Sequence, residues 1–277
     1  MMRCPTGPMA LLFALVTLSP SAATAQAPAV EGFADVADLT LAAPVVLRAI
    51  VHKAEKLNRK EAPDVASGRV RMLIEAQVQS VLTSREVVPA RISYLWEGPL
   101  DARGKTPRLK GADLLLFLRR APNRQGQYQL TSPNGQIAWT GRAEGGIRRV
   151  LTDLRSPELR DLRITGIGNA FHVRGSIPGE AESQIFLTTA SGRPVSLVVL
   201  SRPGQLPIFS VALSDVIDDA ATTVPRDTLM WYRLACSLPA VVPAAAITDL
   251  GEADRRAVAA DYRVVQDALG SCGRTLR

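Results

Sequence analysis

Between Arg69 and Leu82 the chain alternates: Val70, Met72, Ile74, Ala76 and Val78 share one parity, while Arg69, Arg71, Glu75, Gln77 and Gln79 share the other. Successive side chains of a strand point to opposite faces, so this pattern predicts an antiparallel strand with one face in a core and one in water. Such a strand needs neighbours. Val45 to Ala54 upstream is rich in branched residues, Ile92, Tyr94 and Trp96 repeat the alternation downstream, and Leu114 to Leu118 is an apolar run fit for a buried strand. Gly98-Pro99, Gly104 and Gly111 punctuate between them. Tyr128 to Thr131 and Gln136 to Thr140 read as shorter strands about the turn Ser132-Pro133-Asn134-Gly135.

The order of these strands resembles the five-stranded OB-like barrel of exported netrin/inhibitor-type modules, over about residues 40 to 140. The resemblance is carried by Val45-Val46-Leu47-Arg48-Ala49, Arg69-Val70-Arg71-Met72 and Gly111-Ala112-Asp113-Leu114-Leu115-Leu116-Phe117-Leu118. It implies a small barrel suited to oligosaccharide or oligonucleotide ligands. Inhibition does not follow from it, because inhibitors of that family rely on an N-terminal cysteine and several disulfides.

Ile147, Val150, Leu151 and Leu154 then recur at helical spacing, and Ser156-Pro157-Glu158 has the chemistry of a cap and first turn. A second strand series follows at Arg163 to Ile167, Ala170 to Ser176, Ser183 to Thr189, Val195 to Leu200 and Ile208 to Leu213. Its connectors, among them Gly166-Ile167-Gly168-Asn169 and Ile177-Pro178-Gly179-Glu180, are short and turn-like, which predicts a meander or small sandwich. The chain ends in helices: Pro225 to Ala235 starts at a proline, and Asp249 to Leu269 lines Val258, Tyr262, Val265 and Leu269 on one face before Gly270. The expected organisation is a segment 1–25, an OB-like β domain over 26–146, a helical linker over 147–161, and a second antiparallel β domain with C-terminal helices over 162–277. The fold class is mainly β, of the α+β kind.

The first segment sets the compartment. Arg3, the apolar run Met9 to Leu18, the break at Ser19-Pro20 and the small-x-small Ala23-Thr24-Ala25 read as a secretory signal peptide cut before Gln26. The run is about half the roughly 20 residues of a spanning helix. Cys4 precedes the run, so no cysteine stands at the cut to carry a lipid. A periplasmic or secreted protein without a stable membrane span is the expectation. Only Cys236 and Cys272 then remain, and in an oxidising compartment two such thiols are expected to pair, closing a loop of about 36 residues. They lack the Cys-x-x-Cys spacing of a redox pair.

The chain carries 33 Lys and Arg against 26 Asp and Glu, and the excess is concentrated in the first half, where every lysine lies. Lys53, Lys56, Arg59 and Lys60 form a candidate patch for an anionic envelope component such as a lipid headgroup or polysaccharide. No aromatic ladder accompanies the charge, and export argues against a nucleic-acid partner. The ordinary reading is a solvated basic surface.

Chemistry is sparse. The sequence has no G-x-S-x-G, no S-x-x-K and no H-E-x-x-H, and His52 and His172 stand apart from both late cysteines, so neither a metal site nor a cofactor is expected. Gly166-Ile167-Gly168 has Phe171 where a dinucleotide loop needs its third glycine. His172 is the best catalytic candidate: parity sends Phe171 and Val173 one way and His172 with Arg174 the other, here taken as the accessible face. Ser176 and Ser191 are the serines weighed as its neighbours. Asp215, Asp218 and Asp219, like Glu180 and Glu182, read as solvated acids because no calcium-loop glycine surrounds them. Tyr94 and Trp96 are candidates for stacking on sugar, with half-buried sheet as the ordinary reading.

Phe171-His172-Val173, Gly179-Glu180-Ala181-Glu182-Ser183-Gln184-Ile185-Phe186-Leu187 and Trp231-Tyr232-Arg233-Leu234-Ala235-Cys236 resemble exported alphaproteobacterial proteins of no assigned activity. That resemblance implies an envelope location and no reaction. The expected function is non-enzymatic binding or scaffolding of an envelope component. The alternative is a hydrolase of peptide, ester or glycan centred on His172.

Overall fold

A computed structural model describes residues 32–122, 124, 126–213 and 223–276. The segment read as a signal peptide, Cys4, and the acids Asp215, Asp218 and Asp219 lie outside the described residues.

The first unit is a closed barrel. Strands β1 (Val45–Lys56), β2 (Arg69–Thr83), β3 (Arg91–Pro99), β4 (Asp113–Arg120) and β5 (Gln127–Leu130) are ordered β1-β2-β3-β5-β4, and β4 returns to pair with β1. All pairs are antiparallel except β3 with β5. Strand β6 (Gln136–Ala138) extends the free part of β4 beside β5. The alternation in β2 points Val70, Met72, Ile74 and Ala76 inward, where they meet Leu47, Ile92, Tyr94, Leu114, Leu116 and Leu118. The Leu114–Leu118 run is buried throughout because its even residues fill the barrel while Leu115 and Phe117 face outward onto helices. Closure leaves no long open edge, and the core is built from residues between Val45 and Leu130.

Two helices cover the outward face of β4. Helix α1 (Phe33–Ala42) is absent from the sequence reading, and its burial shows why: Ala34, Asp35, Val36, Ala37, Leu39 and Thr40 are all enclosed, so no polar stripe marks the period. Helix α2 (Gly141–Asp153) starts six residues before the expected linker because the Thr140 hydroxyl caps it, accepting from the Ala143 N–H at 3.1 Å. Its glycines read as breakers, but Gly146 makes room for α1: a Cβ there would lie 3.3 Å from Val36 Cγ1. Helix α3 (Pro157–Arg160) follows, capped by Ser156.

The second unit is an open four-stranded meander, β7 (Ile164–Arg174), β8 (Ala181–Thr189), β9 (Val195–Ser201) and β10 (Ile208–Ala212), in sequential order. The expected turn at Gly166-Ile167-Gly168-Asn169 lies inside β7, which the sequence divided in two. Register shifts fall on either side of Ile167, and both glycines lie close against Thr188, so they mark bulges in one continuous strand. One face of the meander packs on α4 (Leu229–Ala235) and α5 (Glu252–Leu269) through Trp231, Leu234, Val258, Tyr262, Val265 and Leu269, with Ala34 and Ala37 of α1 in the same core. Helix α4 begins four residues after Pro225, where Thr228 accepts from the Trp231 N–H at 3.2 Å. No helix among the described residues is long and apolar enough to cross a membrane.

Cys236, at the end of α4, is bonded to Cys272 beyond α5, with Cα atoms 4.9 Å apart. Gly270 and Gly273, both at positive φ, bend the chain there. The tail then docks on α1. The enclosed Asp35 carboxylate accepts from Thr275 N–H at 2.8 Å, Thr275 Oγ1 at 2.6 Å and Leu276 N–H at 2.9 Å, while Asp38 pairs with Arg274 and accepts from the Tyr232 hydroxyl.

Candidate functional site

His172 does meet a serine and a carboxylate, but in the wrong order for hydrolysis. Its Nδ1 lies 2.9 Å from Ser183 Oγ, which donates to Asp261 Oδ2 at 2.5 Å. Because the serine proton goes to Asp261, Nδ1–H must be the donor to Ser183. A hydrolytic triad puts histidine between acid and nucleophile so that it can take the serine proton. Here serine occupies the middle and is fully buried, with its hydroxyl donating to the acid and no access for substrate. The trio fastens β7 and β8 to α5.

The face expected for His172 is corrected by the same geometry. Phe171 and Val173, 48% and 65% exposed, take the water side, and His172 turns under α5 with its side chain 8% exposed. The parity holds and the faces are exchanged, because α5 supplies a cover that periodicity within β7 cannot show. Ser183 stands directly across from His172 in the hairpin register. Counting outward from the Ile177-Pro178-Gly179-Glu180 turn would have selected it over Ser176 and Ser191.

The larger concavity lies on the barrel. An open cleft of about 890 Å³ runs over the outer faces of β2, β3 and β5, with Leu73, Leu95, Gln127 and Gln129 along it, Arg69 and Glu97 on one wall and Arg119 on another. Leu95 is 50% exposed among polar neighbours. Glu97 accepts from Arg69 at 2.9 Å and from Arg71 at 2.7 Å, and Arg71 also binds Asp64 at 2.8 Å. Hydrogen bonds from Arg71 and then Arg69 hold the Glu97 carboxyl below the ordinary carboxylate range, so it stays ionised and compensates that wall. Arg119 has only the Gln129 amide at 3.1 Å and no acid partner among the described residues. The outward parity of β3, Ser93-x-Leu95-x-Glu97, was the available sequence signal, since an apolar residue on a wet face needs a reason.

Of the four patch residues, Lys53 is paired with Glu55 at 2.7 Å, whereas Lys56, Arg59 and Lys60 are exposed without ion pairs among the described residues. An Asn58-based turn presents Arg59 and Lys60, with Asn58 Oδ1 accepting from the Lys60 N–H at 2.9 Å. The Asp64–Arg71–Glu97 chain ties this loop to the Arg69 end of the cleft. Tyr94 is unavailable for stacking: it is buried in the barrel and donates to Gln136 Oε1 at 2.5 Å. Trp96 covers Gly98, where a Cβ would lie 2.0 Å from its ring. Among the described residues no three His, Cys, Asp or Glu side chains gather to hold a metal. No family model matches the chain, and no curated protein matches it.

Proposed function

We propose that the chain is a non-enzymatic binding protein of the bacterial envelope, of the exported alphaproteobacterial kind, and that its barrel takes up an anionic polysaccharide. The observation that carries this reading is the open cleft across β2, β3 and β5, where apolar and amide groups lie beside the uncompensated charge of Arg119. Amides and an exposed leucine suit a hydroxyl-bearing polymer, and Arg119 and Arg124, which have no acid partner among the described residues, select its acidic groups. Lys56, Arg59 and Lys60 extend the attraction past the Arg69 end. The Cys236–Cys272 bond supports an oxidising compartment.

Retention of the full chain on immobilised heparin, an anionic polysaccharide, tests the reading. Retention at low salt should disappear near 1 M salt, where the Debye length is about 3 Å. Arg119→Ala combined with Leu95→Glu should abolish it, and neutralising Lys56, Arg59 and Lys60 should weaken it. Equal retention by the cleft variant, or preference for anionic lipid vesicles over polysaccharide, overturns it.

A further inference from the structure

The water side of the second sheet carries a cavity of about 450 Å³, within the roughly 300–1,000 Å³ usual for small-ligand sites. Cross-strand register arranges its floor in rows. Val173, Glu182 and Leu200 form one, and Phe171 and Gln184 the next. A polar column on β8 therefore runs between an aromatic-aliphatic column on β7 and Leu200 on β9. The hairpin turns close one end: Gly179, at φ +88°, touches Pro203, where a Cβ would lie 3.5 Å from its ring.

Phe171 is held by an edge-to-face contact with Phe186 at 5.7 Å between centroids, which leaves part of the ring open to water. The Gln184 amide donates to Glu182 Oε1 at 2.6 Å. That bond fixes both planar groups while leaving the amide oxygen, its second N–H and the remaining carboxylate lone pairs for a ligand. Arg202, also on the cavity, has no acid partner among the described residues, while Arg174 beside it lies 3.7 Å from Asp254. The cavity therefore combines an open aromatic ring with adjacent groups that accept and donate several hydrogen bonds.

We infer that this cavity binds a sugar ring of a saccharide, the C–H face of the ring lying on Phe171 and its hydroxyls engaging Glu182, Gln184 and Arg202. A saccharide matches the alternation because one face of a pyranose is apolar and its rim both donates and accepts. A second copy of the chain fits worse. Two such sheets pressed together would take Glu182, Gln184 and Arg202 out of water together, a costly burial unless each meets a partner on the opposing sheet. Hydroxyls meet that carboxylate in place of water.

Titration of the ¹⁵N-labelled full chain with chitotriose, maltotriose and trigalacturonic acid, followed by amide shifts, tests the site. At least one probe should give saturable shifts at Phe171, Gln184 and Leu200. Phe171→Ala and Gln184→Ala should each weaken that binding about tenfold, while Phe171→Tyr should preserve it. Arg119→Ala combined with Leu95→Glu, the variant that disables the barrel cleft, should leave it unchanged, so failure here is distinguishable from failure of the heparin reading. The proposal falls if all three probes leave this face unshifted, or if Phe171→Ala, shown to be folded by its spectrum, binds as tightly as the parent. Broadening of these same amides with protein concentration alone would assign the face to a second copy and overturn it.

Discussion

The barrel and the meander solve the same problem with different lengths of chain. The barrel closes, so its interior is completed by strands between Val45 and Leu130. The meander stays open and needs a separate cover, so its core runs from Ala34 on α1 to Leu269 on α5. One unit is assembled from neighbours in sequence, and the other waits for both ends of the described chain. Closing such long loops costs conformational entropy before distant contacts compensate it. The bond between Cys236 and Cys272 and the Asp35 clasp are both placed where that cost falls.

The largest test of this contrast removes the disulfide. Replacing Cys236 and Cys272 by serine should cost about 4 kcal/mol in the chain-entropy model for a sequence separation of 36, read by urea unfolding. Amide exchange should quicken in α4, α5 and β7–β9, with β4 keeping its protection. Equal loss in β4 would break the contrast.

Asp35→Ala should cost about 2 kcal/mol, because the carboxylate satisfies two tail N–H groups and one hydroxyl from an enclosed position. A thermal melt measures the cost, and exchange should locate it in α1 and residues 273–276. The reciprocal probe lies in the barrel. Tyr94→Phe leaves the buried Gln136 Oε1 without its donor and should cost about 1–2 kcal/mol, with α5 exchange unchanged. Faster exchange in α5 would show the units to be one cooperative block.

The smallest effect is electrostatic. Glu144, at the first turn of α2, accepts from Trp139 Nε1 at 2.7 Å and from Arg148, and these bonds, Trp139 first, hold its carboxyl below the ordinary range. A depressed carboxyl stabilises fully above its unfolded value, and that contribution disappears as pH falls through its lower folded value. Stability followed from about pH 6 to pH 3 should therefore decline with a component, below about 1 kcal/mol, that Glu144→Gln lacks. An unchanged acid limb in the variant would remove Glu144 from the contact between α2 and the barrel.

These two modes of construction also explain what was legible in the sequence. Barrel strands announce themselves because alternation in β2 and the apolar run of β4 are local consequences of facing one core. The covered faces of the meander were not legible. His172 and Phe171 have the alternation of any strand, and which of them meets water depends on α5, some eighty residues away. The pairing of the cysteines needed only elimination, whereas α1 left no trace because it is enclosed by both units. The barrel cleft was partly visible in the outward Leu95, but the free charge of Arg119 required the partners of every neighbouring arginine.

The clasp of the tail on Asp35 gives the fold a direction in time. Helix α1 remains half-packed until Thr275 and Leu276 reach it to fill the Asp35 hydrogen bonds, so the second unit locks only when segments about 240 residues apart have met. A chain truncated shortly before Gly270 would hold a finished barrel beside an unlatched sheet, a state that limited proteolysis would detect as protection of the first unit alone. Residues 274–276 thus act as the latch that joins two distant segments of the second unit.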